Sequence, residues 1–533
     1  MSPEKTITVF DFKTSLNPGL LKDITGDING DTIRLAVPST ISLTNLTPSI
    51  TYTGQSISPR NATAQNFSNP VIYTVTAADK STKKYIIIVR LLNTTKDILS
   101  FTFKASDNPG VLTQDAIGII NGDTIWVTTD AFSITNLIPS IIHNGKQISP
   151  ANGQSNSFLN PVTYTVTAED ETTKRYTVVV RSMASLFVGS QDGNLNAFDA
   201  GTGKLRWKYP LIAPVILSPT YANETVFIGN STYLYAVNSI TGQLKWKIPL
   251  PGAVGTSPQV ANNIVYIAVS RIDLNPNSYM LAIDAATGAI KWQTPMLTEF
   301  SICNPTVANG RVVTAGFYSG LYCFDAITGV QLWTFPMGIV RDNAAIVNGT
   351  LYLGSENYVQ VAIDMATGLK KWAIPSYMDN NNNFISGVGS SPTVHNGVLY
   401  LGSPLRAYDT ATGSLKWEYS AGSSAVLYPV CENGIIYGTS PGDMVFAVNS
   451  NGTLKWKYGN FGSISPSVRT SSATVAHGVV FTGCGMNNKL IALNAANGQL
   501  IWTYEGTTPF TSGPCVVDSK NNTFHSNVSG AQQ

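Results

Sequence analysis

Short runs rich in Val, Ile, Thr and Tyr alternate with polar residues in the first third of the chain, and Gly, Pro, Asn and Asp separate them. Alternation with a period of two is typical of a strand that buries one face. The pattern occurs twice, because NPVIYTVTAADKSTKKY (69–85) returns as NPVTYTVTAEDETTKRY (160–176). We therefore predict two small antiparallel β-sandwiches in tandem, over residues 1–93 and 94–183.

A second repeat begins near residue 184, with a period of roughly 39–47 residues. Each copy carries a string such as FDAGTGKLRW (198–207) or IDAATGAIKW (283–292), with strand-like segments upstream of it. The Asp or Asn side chain can bond amide groups of the following turn, and the glycine supplies the positive φ that closes a hairpin. Each repeat therefore predicts one four-stranded antiparallel sheet.

A tryptophan ends every string, so eight of the nine tryptophans of the chain occupy this position. One such sheet cannot bury both of its faces, so the copies must pack on one another in a ring or a solenoid. The first copy lacks the SPTV-like strand that precedes the others, and a matching segment, SGPCVVDS (512–519), follows the last copy. We predict an all-β chain whose residues 184–533 form an eight-bladed β-propeller closed by its C-terminal strand.

The string D-A-x-T-G-x-x-x-W resembles the repeat of the PQQ-like (quinoprotein-type) propellers, a WD-like repeat, over residues 184–533. The two N-terminal copies resemble immunoglobulin-like domains of bacterial surface proteins. The propeller resemblance implies that the motif tryptophans dock each blade on the next. These residues are Trp207, Trp246, Trp292, Trp333, Trp372, Trp417, Trp456 and Trp502.

The same resemblance raises a catalytic alternative, a PQQ- and calcium-dependent oxidoreductase. It implies a vicinal Cys–Cys disulfide against the quinone, and a calcium ion held by Glu, Asn and Asp with a nearby Asp as base. The five cysteines of this chain are dispersed, and none is adjacent to another. We therefore expect no cofactor, no metal and no enzymatic activity.

The charge content narrows the choice of partners. Only 12% of the residues are charged, and the formal net charge is +2. This balance argues against a nucleic-acid binder and against a polybasic membrane-surface protein. No apolar run reaches the ~18 residues that span a bilayer. We expect an extracellular or envelope location, with the native signal or lipid anchor removed from this sequence.

The polar residues just before the inner strands should converge at the mouth of the central channel. This mouth is nearly uncharged and suits a neutral hydrogen-bonding ligand such as a sugar; a channel that holds only water is the alternative. Tyr377 and Phe384, in longer loops, could stack on a glycan, contact a protein or pack within their loops. The loop at Asp379 offers oxygen ligands for a hard cation or is simply a polar loop. The channel residues are Ser257, Asn304, Arg341, Asp342, Asn343, Ser391 and Tyr428.

These observations favour a non-catalytic, monomeric bacterial surface protein. Two immunoglobulin-like modules would act as a stalk, and the propeller would recognise a protein or glycan partner. A scaffold for outer-membrane assembly is a further alternative.

Overall fold

The computed structural model describes residues 2–215, 217–270, 277–297, 303–316, 319–340, 343–378, 384–385, 391–402, 404–419, 427–440, 444–459, 471–484 and 487–525. Within these ranges the chain is all-β, with no α-helix and with a single 3-10 turn at Leu43–Asn45. No helix of the described residues is long and apolar enough to cross a membrane.

The first N-terminal module is built from eight strands around an aromatic core. Phe10 makes edge-to-face contacts with Phe12, Phe67 and Tyr73, at ring-centroid distances of 5.9, 6.3 and 5.5 Å. The strands are β1 (Ile7–Phe12), β2 (Ile24–Thr25), β3 (Asp27–Asn29), β4 (Thr32–Val37), β5 (Ser49–Tyr52), β6 (Ser56–Ser58), β7 (Val71–Thr76) and β8 (Thr82–Leu91). They form two sheets, in the orders β2-β1-β5 and β3-β4-β8-β7-β6.

The second module repeats this arrangement with seven strands. Phe101 takes the place of Phe10 and contacts Phe103, Phe158 and Tyr164 edge to face. The strands are β9 (Ile98–Phe103), β10 (Ala116–Asn121), β11 (Thr124–Thr129), β12 (Ser140–His143), β13 (Gln147–Ser149), β14 (Val162–Thr167) and β15 (Thr173–Ser182). Here β10 pairs with both β9 and β11, so the strands follow one path, β12-β9-β10-β11-β15-β14-β13.

The expectation of purely antiparallel modules was wrong in one respect. Strand β4 runs parallel to β8, with Ile33 opposite Ile87, and β11 runs parallel to β15, with Ile125 opposite Val178. A parallel pair needs a long connection, and 44 residues separate β4 from β8 while 43 separate β11 from β15. Alternating polarity identifies a strand with one buried face but does not fix the direction of its partner.

In the part of the chain that the structure describes, the remaining strands form eight sheets of four or five strands and one separate hairpin; we number the eight sheets 1 to 8 in chain order. Sheet 1 contains β16 (Ser185–Ser190), β17 (Asn194–Asp199) and β18 (Leu205–Pro210). Sheet 2 contains β19 (Thr220–Ala222), β20 (Thr225–Gly229), β21 (Tyr233–Asn238) and β22 (Leu244–Pro249). Sheet 3 contains β23 (Ala253–Val254), β24 (Gln259–Ala261), β25 (Ile264–Ser270), β26 (Asn277–Asp284) and β27 (Ile290–Leu297). Sheet 4 contains β28 (Thr306–Ala308), β29 (Arg311–Gly316), β30 (Gly320–Asp325) and β31 (Gln331–Phe335).

Sheets 5 to 8 follow the same plan, and a separate short hairpin lies between sheets 5 and 6. Sheet 5 contains β32 (Ala345–Val347), β33 (Thr350–Leu353), β34 (Tyr358–Asp364) and β35 (Lys370–Pro375); the hairpin is β36 (Tyr377–Met378) and β37 (Phe384–Ile385). Sheet 6 contains β38 (Thr393–His395), β39 (Val398–Leu401), β40 (Leu405–Asp409) and β41 (Leu415–Tyr419). Sheet 7 contains β42 (Leu427–Glu432), β43 (Ile435–Ser440), β44 (Met444–Asn449) and β45 (Leu454–Tyr458), and sheet 8 contains β46 (Thr474–Ala476), β47 (Val479–Cys484), β48 (Lys489–Asn494) and β49 (Leu500–Glu505).

The C-terminal segment returns to sheet 1. Strand β50 (Cys515–Val517) pairs antiparallel with β16, with Leu186 opposite Val516. A further strand that the sequence did not suggest, β51 (Thr523–His525), pairs with β50 and makes sheet 1 five-stranded. The short inner strands of neighbouring sheets contact one another in cyclic order, from β19 through β46 and back to β50. The sheets therefore form a closed ring, and the apolar core lies between successive sheets.

Candidate functional site

The outer part of the ring is held by the tryptophan strings. In the fourth sheet, Asp325 Oδ1 accepts hydrogen bonds from the backbone amides of Ile327 and Thr328, at 3.0 and 2.8 Å. Gly329 then adopts a φ of 72°, which turns the chain into the next strand. This turn leaves the backbone carbonyl of Ala326 pointing at the preceding sheet, where the Trp292 indole donates to it at 3.1 Å.

The same contact recurs at every junction of the ring. Each motif tryptophan lies against the hairpin glycine of the following sheet, and each indole Nε1 donates to a backbone carbonyl there. The acceptors, for Trp207 through Trp502 in order, are Ser239, Ala285, Ala326, Met365, Thr410, Ser450, Ala495 and Ala200.

The inner edge of the ring is where the predicted binding residues lie. Four of them, Ser257, Asn304, Asn343 and Ser391, are buried, and their side-chain oxygens accept hydrogen bonds from the backbone of the preceding sheet. Ser257 N donates to Asn304 Oδ1 at 2.6 Å, and Asn304 N donates to Asn343 Oδ1 at 2.9 Å. Asn343 N donates to Ser391 Oγ at 3.0 Å, while Ser257 Oγ accepts from Ser218 N at 2.9 Å.

Further bonds complete this inner belt. Gly513 N donates to Ser218 Oγ at 2.9 Å and joins sheet 1 to sheet 2. Threonine hydroxyls serve the junctions from sheet 6 onward, as when Thr474 Oγ1 donates to Pro514 O at 2.6 Å between sheets 8 and 1. These polar residues therefore hold neighbouring sheets together. Their position in the repeat did not predict this role. Their role in ligand binding stays a prediction.

For the other predicted binding residues, the structure describes only part of the surroundings. Tyr428 is half-buried and has a φ of 49°, in the left-handed region. Tyr377 pairs with Ile385 and Phe384 with Met378, across the β36–β37 hairpin. Arg341, Asp342 and Asp379 lie outside the described residues.

Two cysteine thiols of the ring have raised pKa values. Burial raises the pKa of the Cys323 and Cys431 thiols to about 12, so both stay protonated at neutral pH and are poor nucleophiles. Among the residues that the structure describes, no three His, Cys, Asp or Glu side chains come close enough to hold a metal ion.

The two N-terminal modules are joined by a bidentate ion pair. Arg90 Nη1 and Nη2 donate to the Glu169 carboxylate at 2.8 and 2.5 Å, and the backbone amide of Asn93 donates to the same carboxylate at 2.9 Å. These bonds hold the pKa of Glu169 down, at about 2.

The second module is fixed to the ring at its closing seam. The Phe132 ring stacks on His477 of sheet 8, with centroids 4.6 Å apart, and lies edge-on to Phe524 of sheet 1. Beside it, Ser182 Oγ donates to Ala131 O at 2.8 Å, and Arg206 Nη2 donates to Ser182 O at 2.5 Å. Phe132 therefore belongs to the core between the last and first sheets. Neither the contact between the two modules nor the contact between the second module and the ring was predicted from the sequence.

Two family models match the chain. A model described as outer membrane protein assembly factor BamB matches residues 146–373, 275–404 and 386–531, which together reach well over half of the chain. A model described as SGBP, N-terminal, matches each N-terminal module, at residues 12–89 and 98–180.

Individual relatives are distant. The outer membrane protein assembly factor BamB of Shewanella oneidensis is 24% identical over 236 residues, which are 38% of this chain and 57% of the relative. The quinohemoprotein alcohol dehydrogenase ADH-IIG of Pseudomonas putida is 24% identical over 237 residues, 38% of this chain and 32% of the relative. The chain thus spans less than two thirds of both. The crystal structure of BamB from Moraxella catarrhalis, 17% identical, covers 60% of this chain and 91% of its own with a TM-score of 0.44.

Proposed function

The chain belongs to the family described as outer membrane protein assembly factor BamB, and from this premise we propose that it is a non-catalytic binding protein of the bacterial cell envelope. Residues 1–93 and 94–183 would be two immunoglobulin-like modules that form a stalk. Residues 184–533 would be an eight-bladed propeller that recognises a protein or glycan partner.

The observation that carries this proposal is the pair of fixed joints along the chain. The Arg90–Glu169 ion pair joins the two modules, and Phe132 inserts into the closing seam of the ring. A stalk with fixed joints sets the position of the ring relative to the N-terminal end, which suits presentation of a recognition surface. The matches to SGBP, N-terminal, over both modules support the same view.

The quinoprotein relatives raise the question of whether PQQ and calcium fit this chain. The described oxygens at the inner edge are amides and hydroxyls, several already engaged between sheets, and carboxylates are not clustered there. Cys303, Cys323, Cys431, Cys484 and Cys515 are separated in sequence and buried or half-buried. These residues do not fit the quinone and its calcium, and we derive no step through them.

The experiment has two binding arms and one catalytic arm. Labelled full-length protein is applied to a neutral glycan array, and it is cross-linked in detergent extracts of the producing bacterium's envelope. We expect saturable binding in one arm, and failure of both would contradict the proposal. Dye-linked oxidation of alcohols or sugars after addition of PQQ and Ca²⁺ would contradict its non-catalytic part.

A scaffold role in outer-membrane assembly is the second candidate, because the matching family model carries that description. Specific cross-linking to an integral outer-membrane protein, without signals on the glycan array, would favour it.

A further inference from the structure

Sheet 1 contains one strand more than closure of the ring requires. Strand β50 takes the place of its inner strand, because it pairs with β16 on one side and contacts β19 and β46, the inner strands of sheets 2 and 8. Strand β51 pairs with the opposite edge of β50, which faces the ring axis. In sheets 2 to 8, no strand that the structure describes lies on the axial side of the inner strand. Strand β51 therefore occupies the central channel, in contact with β19 and β46.

Strand β51 is paired along only one of its edges. Thr523 lies opposite Val517 and His525 lies opposite Cys515, and within the described ranges no strand pairs with the other edge of β51. A three-residue edge strand makes few contacts, and segments of this kind open locally at little cost in free energy. Side-chain contacts must therefore contribute to keeping β51 in the channel.

The turn between β50 and β51 determines where β51 begins. Asp518 Oδ1 accepts hydrogen bonds from the backbone amides of Lys520 and Asn522, each at 2.8 Å. The Tyr221 hydroxyl of sheet 2 donates to Asn521 Oδ1 at 2.7 Å. These bonds hold the turn, but none of them is made by the three residues of β51.

The side chain that anchors β51 is Phe524, and it packs on the joint of the second module. Its ring lies edge-on to Phe132 of that module and to His477 of sheet 8, with centroids 6.5 and 5.2 Å apart. Phe132 and His477 are themselves stacked at 4.6 Å. We call Phe132, His477 and Phe524 the three-ring cluster. The cluster brings together one ring from the second module, one from the last sheet and one from the strand in the channel.

His477 distinguishes this turn of the ring from its counterparts in other sheets. The turn after the inner strand has an Asn–Gly pair in sheets 4 to 7, whereas sheet 8 has His477–Gly478. Asn and His both adopt the left-handed backbone of this turn more readily than most residues, and the φ of His477 is 47°. Only the histidine offers a ring on which Phe132 can stack, and its Nε2 also lies 3.3 Å from Asp518 Oδ2 in the β50–β51 turn. The four asparagines, with φ from 47 to 51°, are Asn309, Asn348, Asn396 and Asn433.

We propose that the second module acts as a latch on β51. While the module is docked, Phe132 forms one wall of the site that holds Phe524, and β51 stays in the channel. When the module undocks, Phe524 loses that wall, and the three-residue strand leaves the channel. The position of the stalk thus decides whether the protein's own chain occupies the channel. The proposal goes beyond the binding function proposed above and does not depend on it.

Hydrogen–deuterium exchange of the full-length protein at constant pH tests the latch. The exchange rates of the Thr523–His525 amides are compared between the wild type and Phe132→Ala. Ile142→Ala, an exposed position of the same module, is the control for the module. Phe132→Leu, which removes less of the side chain, takes the place of Phe132→Ala if the alanine variant fails to fold.

A second control separates the latch from a general loosening of the closing seam. Tyr504 packs in the same seam, where its ring lies edge-on to Phe198 and Phe510, at 4.7 and 6.1 Å. Among the described residues its ring makes no aromatic contact with the three-ring cluster. Tyr504→Ala therefore weakens the seam and leaves Phe132 and Phe524 in contact.

We expect the β51 amides to exchange roughly tenfold faster, or more, in Phe132→Ala than in the wild type, because a local opening becomes easier. Both controls should exchange at the wild-type rate at β51, and β28 of sheet 4 should be unchanged in every variant. Unchanged exchange at β51 in Phe132→Ala would show that the strand is held without the module. Equal acceleration in Tyr504→Ala would show that β51 only follows the seam. Either result would overturn the proposal.

The reverse effect is measured on Phe524→Ala, because a coupling between two contacts acts in both directions. We expect proteolytic cleavage near residues 182–184 to be faster than in the wild type, since the module docks less firmly. The double variant Phe132→Ala/Phe524→Ala should be cleaved no faster than Phe132→Ala, because the second change finds the contact already removed. A wild-type cleavage rate in Phe524→Ala, or additive effects in the double variant, would refute the coupling. Failure of the array and cross-linking experiment would refute the binding function alone, since no partner enters the latch.

Discussion

The indole Nε1 of Trp502 donates a hydrogen bond of 2.9 Å to the backbone carbonyl of Ala200, so the last repeat of the chain is docked on the first. The contact is the same one that joins every other pair of neighbouring sheets. Two kinds of contact therefore close the ring. The indole hydrogen bond lies in its outer part, and the β16–β50 strand pairing lies in its inner part. Because the last sheet packs on the first, no sheet is left with an uncovered face. A single sheet of this kind cannot bury both faces by itself, so this closure is what the repeats require.

Replacing Gly329 by alanine should destabilise the ring through the docked tryptophan. A Cβ at this position would lie 2.5 Å from Cδ2 of Trp292, and the backbone there has a φ of 72°. Gly310 has the same φ of 72°, but a Cβ there would meet nothing within 4 Å, so Gly310→Ala isolates the backbone strain. We expect about 1–2 kcal/mol for the control and an additional ~1–3 kcal/mol of overpacking for Gly329→Ala. Equal unfolding free energies for the two variants, measured in denaturant, would contradict this account.

Replacing Asn304 tests whether the inner belt stabilises the ring. Asn304→Leu removes the oxygen that accepts from Ser257 N and leaves that buried amide unpaired. The expected loss of unfolding free energy is about 1–3 kcal/mol. If Asn304→Leu unfolded with the same free energy as the wild type, the belt would contribute nothing through this bond.

Much of this architecture could be predicted because it follows from repetition. The spacing between strings such as those ending in Trp292 and Trp333 gives the length of each repeat. The displaced SGPCVVDS segment indicates that the C-terminal strand joins the first sheet of the ring. Strand direction inside the N-terminal modules could not be predicted, since alternation in β4 and β8 is the same for parallel and antiparallel pairs.

The candidate site was harder to predict for a physical reason. Position in the repeat places Asn304 and Asn343 near the axis, but it does not tell whether a side chain faces the channel or bonds to the neighbouring sheet. One buried polar residue did leave a signal in the repeat. Gln360 stands where four earlier sheets have Leu or Met, but that contrast matters only once the structure shows that this position is completely buried.

The joint between the two N-terminal modules should depend on pH through Glu169. Its pKa is lowered from 4.5 to about 2, chiefly by Arg90 and then by the Asn93 amide. A lowered pKa means that the stabilisation is complete above about pH 4.5 and is lost as the pH falls towards 2. Unfolding of the wild type and of Glu169→Gln, compared from pH 7 to pH 2, should show a difference that is constant above about pH 5 and then shrinks. A difference independent of pH would show that the charge of Glu169 does not hold the joint.

Truncation of Phe132 should loosen the second module from the ring without unfolding the module itself. Phe132 packs between sheets 8 and 1, whereas the core of its own module is formed by other residues, such as Phe101 and Tyr164. A Phe→Ala change in a core costs about 3–5 kcal/mol, and here that loss falls on the joint and the closing seam. We expect Phe132→Ala to speed proteolytic cleavage near residues 182–184 and to broaden the distance distribution from small-angle scattering. Ile142→Ala, which removes a side chain of the same module that is 60% exposed, is the matched control and should leave both measurements unchanged. A Phe132→Ala protein with wild-type cleavage rates and scattering would show that the Arg206–Ser182 bond alone is enough to hold the second module to the ring.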